Sequence, residues 1–105
     1  YVRFALSKPQ VFRSAFLFVR PESLEPPKQV ALADDRFFGL LRQAISDGQR
    51  DQRFRDGDPD VLTQLVISAV HGALALPINL HRLALSPGET MAGHAITAQL
   101  EWLKT

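Results

Sequence analysis

Residues 58–76 read DPDVLTQLVISAVHGALAL, and the rest of the chain is organised around them. Asp58 is suited to be an N-cap, Pro59 to the first helical position, and Asp60 stands where the helix dipole favours negative charge. Nothing charged follows until His81 and Arg82. On a helical wheel, Leu62, Leu65, Val66, Ala69, Ala73 and Leu76 share one apolar face. The opposite face carries Gln64, Ile67, His71, Leu74 and Ile78, so it too is largely apolar. A helix that is apolar nearly all round needs cover nearly all round. A domain core of this size covers one side, which leaves the other to a partner chain. Ser68, Ala69, Gly72 and Ala73 are small enough to let another backbone come close.

Length and composition bound what else is possible. With 105 residues the chain is expected to be one domain, spanning residues 1–105, large enough to bury roughly two-thirds of its unfolded surface. Apolar residues make up 46% and charged residues 22%, ordinary for a soluble globular chain. A net charge of +1 gives no general electrostatic case for nucleic acid or an anionic membrane. The absence of cysteine excludes disulfides and thiolate chemistry and allows a reducing cytoplasm. No uninterrupted apolar run is expected to reach the ~18–20 residues of a membrane span, and no signal peptide is recognisable. The chain starts at Tyr1, without methionine and in mid-pattern, and reads as a fragment of a longer protein.

Around the central stretch the pattern is helical throughout. Tyr1, Phe4 and Ala5 have the spacing of a last helical turn, and Pro9 opens a short helix over residues 9–18 with Val11, Phe12, Ala15, Phe16 and Val19 on its apolar side. Pro21, Pro26 and Pro27 make residues 20–29 a loop. A further helix begins between Gln29 and Asp35 and runs to about Asp51, with Phe37, Leu41, Ala44, Ile45 and Gly48 at helical spacing and Arg36, Arg42, Gln43 and Asp47 on the wet side. Gly48 lies near its end, where a glycine costs little. Residues 49–58 mix both charge signs and read as a solvated helix end and turn, with Phe54 as the lone apolar anchor.

Pro77 is expected to kink or end the central helix, and Ser86-Pro87-Gly88-Glu89 reads as a capping box with Ser86 as N-cap and Pro87 at the first helical position. The last helix then shows two apolar stripes: Met91, Ala95, Ala98 and Trp102 on one, Ala92, Ile96, Leu100 and Leu103 on the other. No strand pattern of any length occurs. The expected class is all-α.

Chemistry-bearing motifs are sparse. His71, His81 and His94 lack the close spacing of metal ligands on one helix face, so no metal or other cofactor is expected. Ser68 lies three residues before His71, without the strained turn or oxyanion loop of a nucleophilic site. Gly57, Gly72, Gly88 and Gly93 are isolated and form no phosphate loop. An enzyme is not expected. His71 is the one polar residue of interest in the apolar helix: a histidine satisfied in the core or at a subunit contact, or one that orients a polar group on a bound small molecule.

Together, the pattern of Tyr1, Phe4 and Ala5, the pattern of Pro9, Phe12 and Phe16, the Gly57-Asp58-Pro59 cap and the His71-Gly72 pair resemble the C-terminal regulatory domain of tetracycline-repressor (TetR) family transcriptional regulators. Within that family the chain is similar to the branch named for a Trp/His-Gly signature, with Ile67 one turn before the His-Gly pair where members often carry Trp. The resemblance implies an antiparallel helical bundle, and a cytoplasmic bacterial homodimer in which the last two long helices of each chain form a four-helix bundle. It also implies a small, mostly apolar effector held among the helices. Operator DNA would be read by an N-terminal helix-turn-helix domain that this sequence does not include.

The candidate ligand-binding residues are therefore Phe4, Phe12, Phe16, Phe37, Leu41 and Ile45, with His71 as the polar contact. The candidate dimer residues are Gln64, Ile67, Ser68, Gly72 and Ala75 on the central helix and Met91, Ala95, Ala98 and Trp102 on the last. A purely structural helical dimerisation module without a cavity is the alternative.

Overall fold

The computed structural model describes residues 2–8, 29–80 and 82–105, the side chains of Phe4 and Ala5 excepted. The expected 9–18 helix and most of the 20–29 loop lie outside the described residues, and with them Phe12 and Phe16. Among the described residues every regular element is helical. Helix α1 is Val2–Ser7; a 3-10 turn at Leu32–Asp34 precedes α2, Arg36–Arg50; α3 is Pro59–Asn79 and α4 is Gly88–Lys104.

Local chemistry sets the starts of α2 and α3. The Asp35 carboxylate accepts from the backbone N–H groups of Phe37 and Phe38 at 3.1 and 2.9 Å, and that of Asp58 accepts from Asp60 N–H at 2.9 Å. Each satisfies donors that the first helical turn leaves open. Pro59 follows Asp58 at the head of α3, as its missing N–H and fixed φ favour.

Two expected boundaries move. Pro77 neither breaks nor ends α3, which continues to Asn79 and closes with Leu80 N–H donating to Leu76 C=O at 2.8 Å. A proline this near a C-terminus removes one bond and leaves the last turn able to form. The Ser86 capping box does not form: Pro87 is the N-cap, at φ −55° and ψ 140°, with no side-chain cap bond, and α4 starts at Gly88. With ψ at an extended value Pro87 cannot be the first helical residue, so the start shifts by one and Ser86 is carried out of capping position.

α3 and α4 pack antiparallel. Leu62 near the start of α3 shares a buried cluster with Leu103 at the end of α4, while Val70 and Leu74 later in α3 meet Ala92 near the start of α4. α2 joins the first cluster through Ile45, with Leu41, Phe54, Val66 and Trp102 around it; α1 joins the second through Val2. Thr63 is fully buried and returns its hydroxyl to Pro59 C=O at 2.7 Å. The Arg42 guanidinium, read from the sequence as solvent-facing, pairs with Asp60 and links α2 to α3.

The turn between α2 and α3 is fastened more firmly than a solvated turn requires. Arg55 N–H donates to Leu103 C=O at 2.6 Å, its guanidinium lies 4.3 Å from the Trp102 ring centre, and Nη2 donates to Thr105 Oγ1 at 2.6 Å. Gln49 Nε2 holds the same turn through Arg55 C=O and Gly57 C=O at 3.0 and 2.9 Å. Gly48 is also more than a tolerated glycine. A Cβ there would fall 2.2 Å from the Phe54 ring, so the ring packs directly on the α2 backbone.

At 21 residues, with a mean hydropathy of 1.8 over its most apolar window, α3 is long and apolar enough to cross a membrane by length and composition. This revises the expectation that no stretch reaches that length, because α3 runs on through Pro77 and carries no Asp, Glu, Lys or Arg after Asp60. The core helix of a bundle meets the same test.

Helical preference alone would favour Gly48→Ala by about 1 kcal/mol. The Phe54 contact predicts the opposite, a loss of about 1–3 kcal/mol from overpacking, read from the urea midpoint. A gain in stability would show that the ring moves aside freely.

Candidate functional site

The ligand candidates that fall among the described side chains divide by burial. Ile45 is 1% exposed and belongs to the core cluster with Leu62 and Leu103, and Leu41 is half-buried against that cluster. Phe37, one turn before Leu41 on α2, is 43% exposed and meets Phe38 edge to face at 5.5 Å between ring centres. His71 is half-buried on α3, directly after Val70 of the second cluster. The structure thus brings Leu41 and Ile45 together as packed core and sets Phe37 at the surface end of the same helix face. Phe4 is placed on α1 by its backbone alone.

Two hollows occur elsewhere. A half-open one of about 160 Å³ lies between α3, the connector and α4, lined by Ala73, Leu76, Pro77, Leu85, Ser86 and Met91. A shallower one of about 490 Å³ lies beside α1, lined by Val2, Arg3, Leu6, Ser7 and Glu89. Among the described side chains, no candidate ligand residue lines either one. The first is below the ~300–1,000 Å³ of usual small-molecule pockets. Among the described residues no three His, Asp or Glu side chains gather as a metal site would need.

The candidate dimer residues divide in the same way. Gln64, Ser68, Met91 and Ala98 are exposed, and Ile67 and Gly72 are half-buried. A Cβ built on Gly72 meets nothing within 4 Å, so no close packing on it is made among the described residues. Ala75 is only 8% exposed, Ala95 packs on the second cluster, and Trp102 sits beneath Arg55 against the first; all three face inward to a large extent.

The wheel put Leu65 and Leu76 on one apolar face with Leu62 and Val66, and the structure divides that face. Val61, Leu65 and Leu76 are 49%, 47% and 51% exposed, and with Ser68 and Gly72 they form one outward stripe, while Leu62, Val66, Val70 and Leu74 face inward. On α4, Ile96 and Leu100 are likewise exposed, because the buried line runs along one edge of their expected stripe, through Ala92 and Leu103. The signal that could have found the outward stripe is the 61, 65, 68, 72, 76 spacing, at steps of three and four.

A family model described as tetracyclin repressor-like, C-terminal domain, matches residues 1–98. No curated protein and no solved structure matches the chain.

The division between core and surface in α2 is directly measurable. Ile45→Ala is expected to cost about 2–5 kcal/mol of unfolding free energy, and Phe37→Ala about 1 kcal/mol or less. Equal losses in urea titrations would contradict this placement.

Proposed function

The chain belongs to the tetracyclin repressor-like C-terminal domain family, and from that premise we propose that it is the effector-binding and dimerisation domain of a transcriptional repressor. In this reading it senses a small, mostly apolar molecule and controls operator binding by an N-terminal helix-turn-helix domain outside this sequence. The protein works as a cytoplasmic homodimer, without a cofactor and without catalysis. The observation that carries the reading is the uncovered apolar face of α3, which has no charged residue between Asp60 and Asn79. Exposed apolar surface of this extent marks a site of association.

The effector site in this reading lies among α1, the 9–18 segment, α2 and the near side of α3. Phe4, Phe12, Phe16 and Phe37 supply aromatic walls, Leu41 and Ile45 pack behind them, and His71 meets a polar group on the ligand. Such sites are mostly apolar with few polar contacts. The packed state of Leu41 and Ile45 and the small volume of the α3–α4 hollow favour the second reading, a structural dimerisation module with no effector.

Native mass spectrometry of the protein purified from its host separates the two. A dimer with retained small-molecule mass supports sensing, a dimer without it supports the structural module, and a monomer contradicts both. A Phe16→Trp variant is expected to lose the retained mass and the melting-temperature gain that a ligand confers, while keeping the dimer. Loss of the dimer instead would assign Phe16 to the interface or core.

A further inference from the structure

We propose that the half-open hollow between α3, the connector and α4 is a binding site for a small phenol-type molecule, a single aromatic ring carrying one hydroxyl. The site is separate from the effector walls proposed above and does not depend on them.

Size and lining select the ring. The hollow holds about 160 Å³, and the residues around it, Ala73, Leu76, Pro77, Leu85, Ser86 and Met91, include no charged side chain. An apolar space of about 150 Å³ accepts one benzene-sized molecule, so a single ring fills this one and a drug-sized ligand does not fit. Leu76, Leu85 and Met91 are 51%, 41% and 41% exposed, so a ring that enters covers apolar surface now facing water. Met91 adds a flexible thioether, and sulfur packs favourably at the edge of an aromatic ring.

Pro77 selects the hydroxyl. Within a helix each residue donates its N–H to the carbonyl four positions earlier, and proline has no N–H to give. Pro77 lies inside α3, so Ala73 C=O loses its helical donor, and the proline ring crowds that carbonyl away from its regular position. Ala73 and Pro77 both line the hollow. The point that a Cβ on Gly88 would occupy lies 3.5 Å from Pro77 Cγ and 3.9 Å from the Ala73 carbonyl oxygen, so this oxygen faces the start of α4. Ser86, whose hydroxyl makes no cap bond, stands on the connector wall. An acceptor on one wall and a hydroxyl on another suit a ligand O–H that donates to Ala73 C=O and accepts from Ser86 Oγ.

Phenol and toluene are the probes, close in size and differing in the hydroxyl. In proton–nitrogen correlation spectra of the full chain, phenol is expected to shift the amides of Ala73, Leu76, Leu85, Ser86 and Met91, with a Kd on the order of a millimolar. Pro77→Ala returns an N–H donor to Ala73 C=O and keeps the helix, since alanine is the better helix former. In that variant the ratio of phenol to toluene affinity is expected to fall about fivefold, the worth of one neutral hydrogen bond; taking the ratio cancels the change in apolar space. Ala73→Leu, which fills the hollow, is expected to abolish the shifts from both probes. Absence of phenol shifts at these amides, shifts centred on Phe37 and Leu41 instead, or shifts that persist in Ala73→Leu would overturn the site. An unchanged ratio in Pro77→Ala would overturn the part given to the Ala73 carbonyl, and with it the choice of a phenol.

Discussion

α3 is a helix without a charged residue between Asp60 and its C-terminus, and covering it is the constraint that the remaining structure meets. An amphipathic helix hides one stripe and wets the other, so one neighbour is enough. This helix has apolar side chains on every side. α4 covers it along its length through Leu62, Val70, Leu74, Ala92 and Leu103, and α2 adds Ile45 near its start. The stripe from Val61 to Leu76 is left over. Its exposure is the physical basis of the dimerisation proposed above.

The remaining contacts hold that arrangement in place. Asp58 and Asp35 fix where two helices begin, and Arg42 in the middle of α2 pairs with Asp60 at the start of α3. The Arg55 turn ends on Leu103, Trp102 and Thr105, so the α2–α3 connection is fastened to the last turn of α4. Phe54 packs on the bare backbone of Gly48 in the same turn. A displacement of α2, where the proposed effector walls begin, would therefore be felt at the end of α4.

Much of this was legible in the residues. The all-helical class, the α2 and α3 regions and the Asp58-Pro59 start followed from periodicity and capping chemistry, and the family from the order of short aromatic and His-Gly motifs. The rotation of α3 was not. A wheel is phased by contrast between wet and dry faces, and from Val61 to Asn79 there is too little contrast to say whether Leu65 faces in or out. Gly48 was misread for a different reason: its partner Phe54 approaches from a turn whose path no local pattern reports. The Ser86 box failed because the motif specifies residue types and not the ψ of Pro87. Apolar and aromatic side chains at helical spacing name the candidate ligand wall without separating Ile45, a core residue, from Phe37 at the surface.

If a second copy completes the cover of α3, then stability depends on how much protein is present. The most direct measurement is the melting temperature followed over a hundredfold range of concentration. Association that stabilises the folded chain makes the midpoint rise with concentration, by several degrees for a domain of this size. A midpoint that stays constant from about one to about one hundred micromolar, with the chain monomeric throughout, would contradict the account.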